Sequence, residues 1–173
     1  MATGLQNYVV LDFEGTPTNP SQSSYVVVEN GKIVSTYNRL GALEAKAVKQ
    51  LLELKQTHFF IAHRHATELT FLREQHPYPA PQHSHVQYPP QAKWGPWLDT
   101  WLLGGRYLKL TSLELGNVIN SLGLQDNLTF LAKPYVLNGT YHNALYDCLG
   151  THLVYQHFLT TLSSIELQQN VIH

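Results

Sequence analysis

The first long apolar stretch, Tyr8-Val9-Val10-Leu11-Asp12-Phe13, is interrupted only by Asp12. Hydrophobic residues at consecutive positions predict a central strand, over residues 7–14, covered on both faces. Ser24 to Glu29 and Lys32 to Arg39 flank Asn30-Gly31, a two-residue hairpin signal. Three antiparallel-connected strands are therefore expected first. Leu43 to Leu54 carries apolar residues at 43, 47, 48, 51, 52 and 54, a helical pattern. His58 to Ala62 reads as a short strand and Thr67 to Gln75 as a helix. Residues 76–96 hold six of the nine prolines, which predicts a loop. Trp97 to Leu103 is apolar again. Thr111-Ser112-Leu113-Glu114 has the form of a capping box, opening a helix to about Leu122 that Gly123 ends. Asn127 to Lys133 reads as short extended structure. Asn143 to Leu162 is the longest helical pattern, and the tail from Ser163 is a weak helix or a frayed end. Strands first and then mixed with helices predict an α/β class with a mixed sheet. No internal repeat is present.

Composition narrows this picture. A chain of 173 residues, 43% hydrophobic, suits one globular domain over 1–173, with a core at about 7–162 and a tail at 163–173. No apolar stretch approaches the ~18 residues that span a bilayer. No basic region followed by an apolar core marks a secretion signal. Cys148 is the sole cysteine, so an intrachain disulfide and a four-cysteine zinc site are excluded, and a cytoplasmic setting is expected. Net charge is −1 and Lys plus Arg number only 11, too few for a broad basic face. If such a chain handles nucleic acid, metals must bind much of the phosphate, or a partner must deliver the substrate.

Three acidic segments carry the candidate chemistry. Asp12 and Glu14 point to the same side of the first strand, because side chains alternate. Two carboxylates projecting together make half of a hard-cation site. Solvent-facing acids at a strand end would read the same way. Gly15-Thr16-Pro17 then opens a loop. In Phe59 to Leu72 a strand ends, a polar turn follows, and Glu68 falls in the first turn of a helix, where the helix dipole alone favours an acid. In Tyr141-His142-Asn143-Ala144-Leu145-Tyr146-Asp147, Asn143 is a candidate helix cap. His142 and Asp147 do not share a helix face, since a turn takes 3.6 residues. To act together, His142 must lie just before the helix and reach back over it.

Taken in order, these segments resemble the DnaQ-like 3′–5′ exonucleases of the DEDDh type, in the RNase H-like superfamily. Asp12-Phe13-Glu14 fits the first motif, and His142 to Asp147 the last. Ala62-His63 and Leu69 to Leu72 fit the middle motif, with Glu68 where the family usually has Asp. The Leu98-Asp99-Thr100 step and the Leu-rich segment from Leu113 to Leu122 are similar too. The resemblance runs from about residue 7 to about 162. It implies a central mixed five-stranded sheet flanked by helices. It also implies two Mg²⁺ or Mn²⁺ ions, with Asp12 touching both, Glu14 and Asp147 holding one, and Glu68 the other. His142 would take the proton of the attacking water, a task that suits imidazole. The product would be a 5′-mononucleotide cut from a single-stranded 3′ end, DNA ahead of RNA. A protein partner or a homodimer is compatible with the family, and no membrane role is implied.

The departures matter. Glu68 is one methylene longer than Asp, so the backbone or the metal must shift to suit it. Gly15-Thr16-Pro17 replaces the family's Thr-Gly-type residues, leaving Gly15 and Thr16 as candidate contacts to the terminal nucleotide. His63 and Arg64 are candidate substrate contacts as well, Arg64 standing in place of a common Asn. Tyr78, Tyr88 and Trp94 in the proline-rich loop are candidates for base stacking or for covering the core edge. His83 and His85 are the loop's candidate metal ligands, or incidental. Asp99 reads as a structural cap and Cys148 as a packing residue. Two competing readings remain: a weakly active or inactive module that binds nucleic acid or a partner, and a nuclease that cuts internally.

Overall fold

The apolar character of the first strand follows from having a core on each of its faces. The computed structural model describes residues 4–77, 93–137 and 139–173. Strand β1 (Tyr8–Thr16) lies in the middle of a five-stranded sheet of order β3-β2-β1-β4-β5. Tyr8 and Val10 face one hydrophobic cluster, and Val9, Leu11 and Phe13 face the other. The pleat therefore sends successive side chains into two different cores, and neither set can be polar.

β1 pairs antiparallel with β2 (Asn19–Glu29), and β2 with β3 (Lys32–Leu40), as the Asn30-Gly31 turn predicts. Helix α1 (Ala45–Leu54) covers one face of the sheet with Ala47, Val48 and Leu51. β4 (Phe59–Ala62) runs parallel to β1, and α2 (His65–Gln75) adds Phe71 and Leu72 to the same core as α1. β5 (Trp97–Asp99) is parallel to β4 and leads directly into α3 (Thr100–Tyr107). The opposite face is covered by α4 (Leu115–Ser121), α5 (Gln125–Ala132) and above all α6 (Ala144–Thr161), which buries Leu145, Leu149, Val154, Tyr155 and Phe158. No helix among the described residues is long and apolar enough to cross a membrane.

Two expectations are corrected, and one pair of alternatives is decided. Residues 127–133 are not extended: α5 is helical because Leu124, Leu128 and Ala132 recur every four residues and meet one core. The helix expected from Thr111 starts only at Leu115, since Glu114 makes no side-chain cap and its carboxylate is held by Arg64 instead. Of the two alternatives for the tail, the short helix is the one that forms. Ser163 and Glu166 form a capping box on α7 (Ser164–Gln168), Leu167 is buried, and Ile172 exchanges two backbone hydrogen bonds with Trp97 at the edge of β5. In the proline-rich segment Trp94 is buried against Phe60, whereas Tyr78, His83, His85 and Tyr88 lie outside the described residues.

Candidate active site

The β1–β4 pairing ends at Val10 with Ile61, so the last part of β1 has no strand on that edge. Asp12 and Glu14 sit on this free stretch, and the Phe13 backbone N–H is turned toward Glu68 of α2. The strand kinks at a bulge between Glu14 and Gly15. Gly15 has φ +96°, and a Cβ there would lie 2.6 Å from the Ser21 nitrogen. Only glycine fits, so this bulge fixes how Glu14 is aimed. Gly15 and Thr16 are exposed beyond the bulge.

The last motif meets the first from α6. Asn143 caps the helix, its Oδ1 accepting from the Tyr146 N–H at 3.2 Å. His142 stands just before it at φ +66°, exposed, and its backbone N–H donates to Asp147 Oδ2 at 3.0 Å. The chain thus turns back over the helix start, as the His-to-Asp spacing requires. Donor atoms of Glu14, His142 and Asp147 lie within 4.8 Å of one another. Asp12 opens on the same cleft, of about 420 Å³, whose rim also carries His63 and Arg64. Glu68 is only 3% exposed and is not among the residues that line the cleft.

The electrostatics are those of too many buried carboxylates. Asp12 Oδ2, Glu68 Oε2 and Asp147 Oδ1 are buried without a hydrogen-bond partner. Burial pushes the Asp12 carboxyl well up, and the nearby Glu68, Asp147 and Glu14 raise it further. Burial also pushes Glu68 well up, against a hydrogen bond from the Phe13 backbone, with Glu14, Asp99 and Asp147 adding to the rise. Asp147 is raised to about 6, chiefly by burial, against the His142 N–H. Each orphaned oxygen wants a cation or a proton. Oxygen donors of this kind match hard divalent ions, so the residues fit a Mg²⁺ or Mn²⁺ site.

The neighbouring polar residues divide into struts and rim. His63 Nε2 donates to the Leu113 carbonyl at 2.6 Å, and Nδ1 lies 2.9 Å from Thr100 Oγ1. Both ring nitrogens are thus engaged inside the protein, although His63 is among the residues lining the cleft. Asp99 caps α3 through the N–H groups of Trp101 and Leu102, and accepts from the Arg64 N–H, the His65 N–H and the His65 ring. Burial alone would raise its pKa, but the bonds from His65, Arg64 and Leu102 hold it below the usual carboxylate range. Cys148 is buried with its Sγ near the Val10 and Ser24 carbonyls, a packing role.

Glu114 to Asn117 and Tyr141 also line the cleft, although the motifs gave none of them a role there. The one local signal among them is Gly116, where a Cβ would press on the Tyr141 ring at 3.1 Å. Gln22 is a second omission: its Oε1 accepts from the Ala144 N–H at 3.2 Å and ties β2 to the start of α6.

No protein-family model matches the chain, and no curated protein sequence matches it. Solved structures do. Exonuclease X in complex with 5′-overhanging duplex DNA is 16% identical over 94% of this chain and 98% of its own, with a TM-score of 0.56. A 3′-exonuclease recognising the 3′ end of a histone mRNA stem-loop is 15% identical over 90% of this chain and 82% of its own, at 0.60. Cell-death related nuclease 4 is 15% identical over 90% of this chain and 64% of its own, at 0.54. At these identities the likeness is one of fold, and the chain has the mixed five-stranded, helix-flanked RNase H-like fold of these nucleases.

Proposed function

We propose that this chain is a single-domain, metal-dependent 3′–5′ exonuclease that releases 5′-mononucleotides from single-stranded 3′ ends. The observation that carries this reading is the set of three buried, unpartnered carboxylate oxygens, on Asp12, Glu68 and Asp147, beside an exposed histidine. A purely structural site would not retain three such oxygens, each costly to bury. Asp12, Glu14, Glu68 and Asp147 would hold the ions, Mg²⁺ or Mn²⁺. When bound, two such ions neutralise the scissile phosphate and the leaving oxygen. His142 stands at the cleft's mouth, where its imidazole can take a proton from a water molecule. The Asp147 carboxylate fixes the His142 backbone by accepting its N–H. Arg64 would contact phosphate, while Gly15 and Thr16 would flank the terminal nucleotide. His63 would shape the wall, since its nitrogens are engaged elsewhere. A cytoplasmic setting suits the lone buried cysteine.

The test is digestion of 5′-labelled single-stranded DNA and RNA with Mg²⁺, Mn²⁺ or chelator, beside Asp12→Ala and Glu68→Ala. A ladder shrinking from the 3′ end is expected, lost in chelator and reduced at least ~100-fold in Asp12→Ala, since removing a metal ligand removes charge stabilisation. DNA is expected to be cut faster than RNA. One observation favours a second reading, a binding module: Glu68 is buried and absent from the cleft's lining. Oligonucleotide binding with no cleavage in either metal would select that reading.

A further inference from the structure

We propose that Glu114 is an internal stand-in for phosphate, holding Arg64 until a strand arrives and yielding it to the incoming strand. This rests on the nucleic-acid reading of the site. The cleft is lined by four acids, Asp12, Glu14, Glu114 and Asp147, and by Arg64 as the single Arg or Lys among its described residues. A polyanion entering such a cleft finds one permanent cation, and that cation is already engaged. Arg64 Nη2 donates to Glu114 Oε1 at 2.9 Å across the cleft rim, with the guanidinium 5.5 Å from the centre of the Trp101 ring.

The pair is built rather than incidental. Arg64 is the N-cap residue of α2 in the left-handed region, at φ +84°, where a non-glycine side chain is unusual. Asp99 secures that conformation by accepting the Arg64 N–H. Non-glycine residues kept in this region cluster at functional sites. Glu114 in turn occupies the N-cap of α4 without capping it. Both side chains are about half exposed or more, at 51% and 69%, so the pair is weak and exchangeable. A phosphodiester offers the guanidinium two oxygens in the same geometry as a carboxylate. As the strand enters, Arg64 exchanges one acid for another, and Glu114 is released to solvent.

The test is equilibrium binding of a single-stranded oligonucleotide, in chelator, to the wild type, Glu114→Gln, Arg64→Gln and the double variant, across a salt series. Glu114→Gln should tighten binding about threefold, the size expected for freeing a surface ion pair. It should also steepen the salt dependence, because salt weakens the Arg64–Glu114 pair that competes with phosphate in the wild type alone. Arg64→Gln should weaken binding, and adding Glu114→Gln to it should restore nothing. Equal tightening with and without Arg64 would overturn the proposal, because Glu114 would then only repel the strand. No tightening by Glu114→Gln alone would overturn it too, while leaving the nuclease reading intact. Binding by none of the four proteins would overturn the nucleic-acid reading and this exchange together. Glu114→Asp, which keeps the charge, should behave as the wild type in slope.

Discussion

Asp147 is the residue whose electrostatics separate most cleanly. Its carboxyl is raised to about 6 in the folded chain, mainly by burial, and returns to an ordinary value on unfolding. Between about pH 4 and pH 6 the folded state therefore binds more protons than the unfolded one. Wild-type stability from this group falls as pH rises through that window. Asp147→Asn removes the titration, so in chelator it should gain on the wild type as pH rises, reaching about 3 kcal/mol above pH 6. Urea unfolding of both proteins across pH 4 to 7 measures this, and a pH-independent difference would contradict it. His152 shows why a difference is needed. It is buried against the Tyr8 hydroxyl, and burial lowers its pKa to about 4. Its contribution has the opposite sign: it is present above the unfolded histidine range and lost as pH falls toward 4. A bare acid titration would mix the two. Among single residues the sequence was legible where a motif carried it, as with Asp12, Glu14 and Asp147. It was illegible for Glu114, which reaches the cleft only through tertiary contact, and Tyr141 was passed over although it adjoins His142.

The turn at the end of β4 and the bulge at the end of β1 position the site as elements. Gly15→Ala should cost about 2 kcal/mol or more, because the new methyl would meet the β2 backbone and the residue sits at positive φ. It should also weaken metal affinity, since Glu14 precedes the bulge, and calorimetric titration with Mn²⁺ would read that. Asp99→Ala should cost about 3 kcal/mol by denaturant melt, for it strands several N–H groups of α2 and α3 at once. Element type was readable wherever periodicity was strong: β1, the β2–β3 hairpin, α1 and α6 stand where the pattern puts them. It failed at α5, whose short apolar run has no flanking signal to separate helix from strand. It failed again at α4, where a capping-box spacing was satisfied on paper while Glu114 went to Arg64. The docking of Ile172 beside Trp97 is a long-range pairing with no local signature.

At the scale of the whole molecule, the sheet separates two cores and leaves one gap, at the end of β1 where β4 stops. The acids that surround the gap come from β1, α2 and α6. With divalent metal, the melting temperature of the wild type should rise by several degrees. Asp12→Asn should melt higher than the wild type in chelator, relieved of a carboxyl whose ionisation burial suppresses, and respond little to metal. A scanning melt of both proteins, with and without Mn²⁺, checks the pair of outcomes. Because the acids come from three elements far apart in sequence, they meet only once α2 and α6 have docked against β1. The assembly of that gap is therefore also a clock. An ion that binds only the finished arrangement leaves the climb to the folding barrier unchanged and deepens the well beyond it. Stopped-flow mixing should then find the refolding limb of the chevron insensitive to Mn²⁺ and the unfolding limb slowed, so that metal-loaded molecules persist by lifetime.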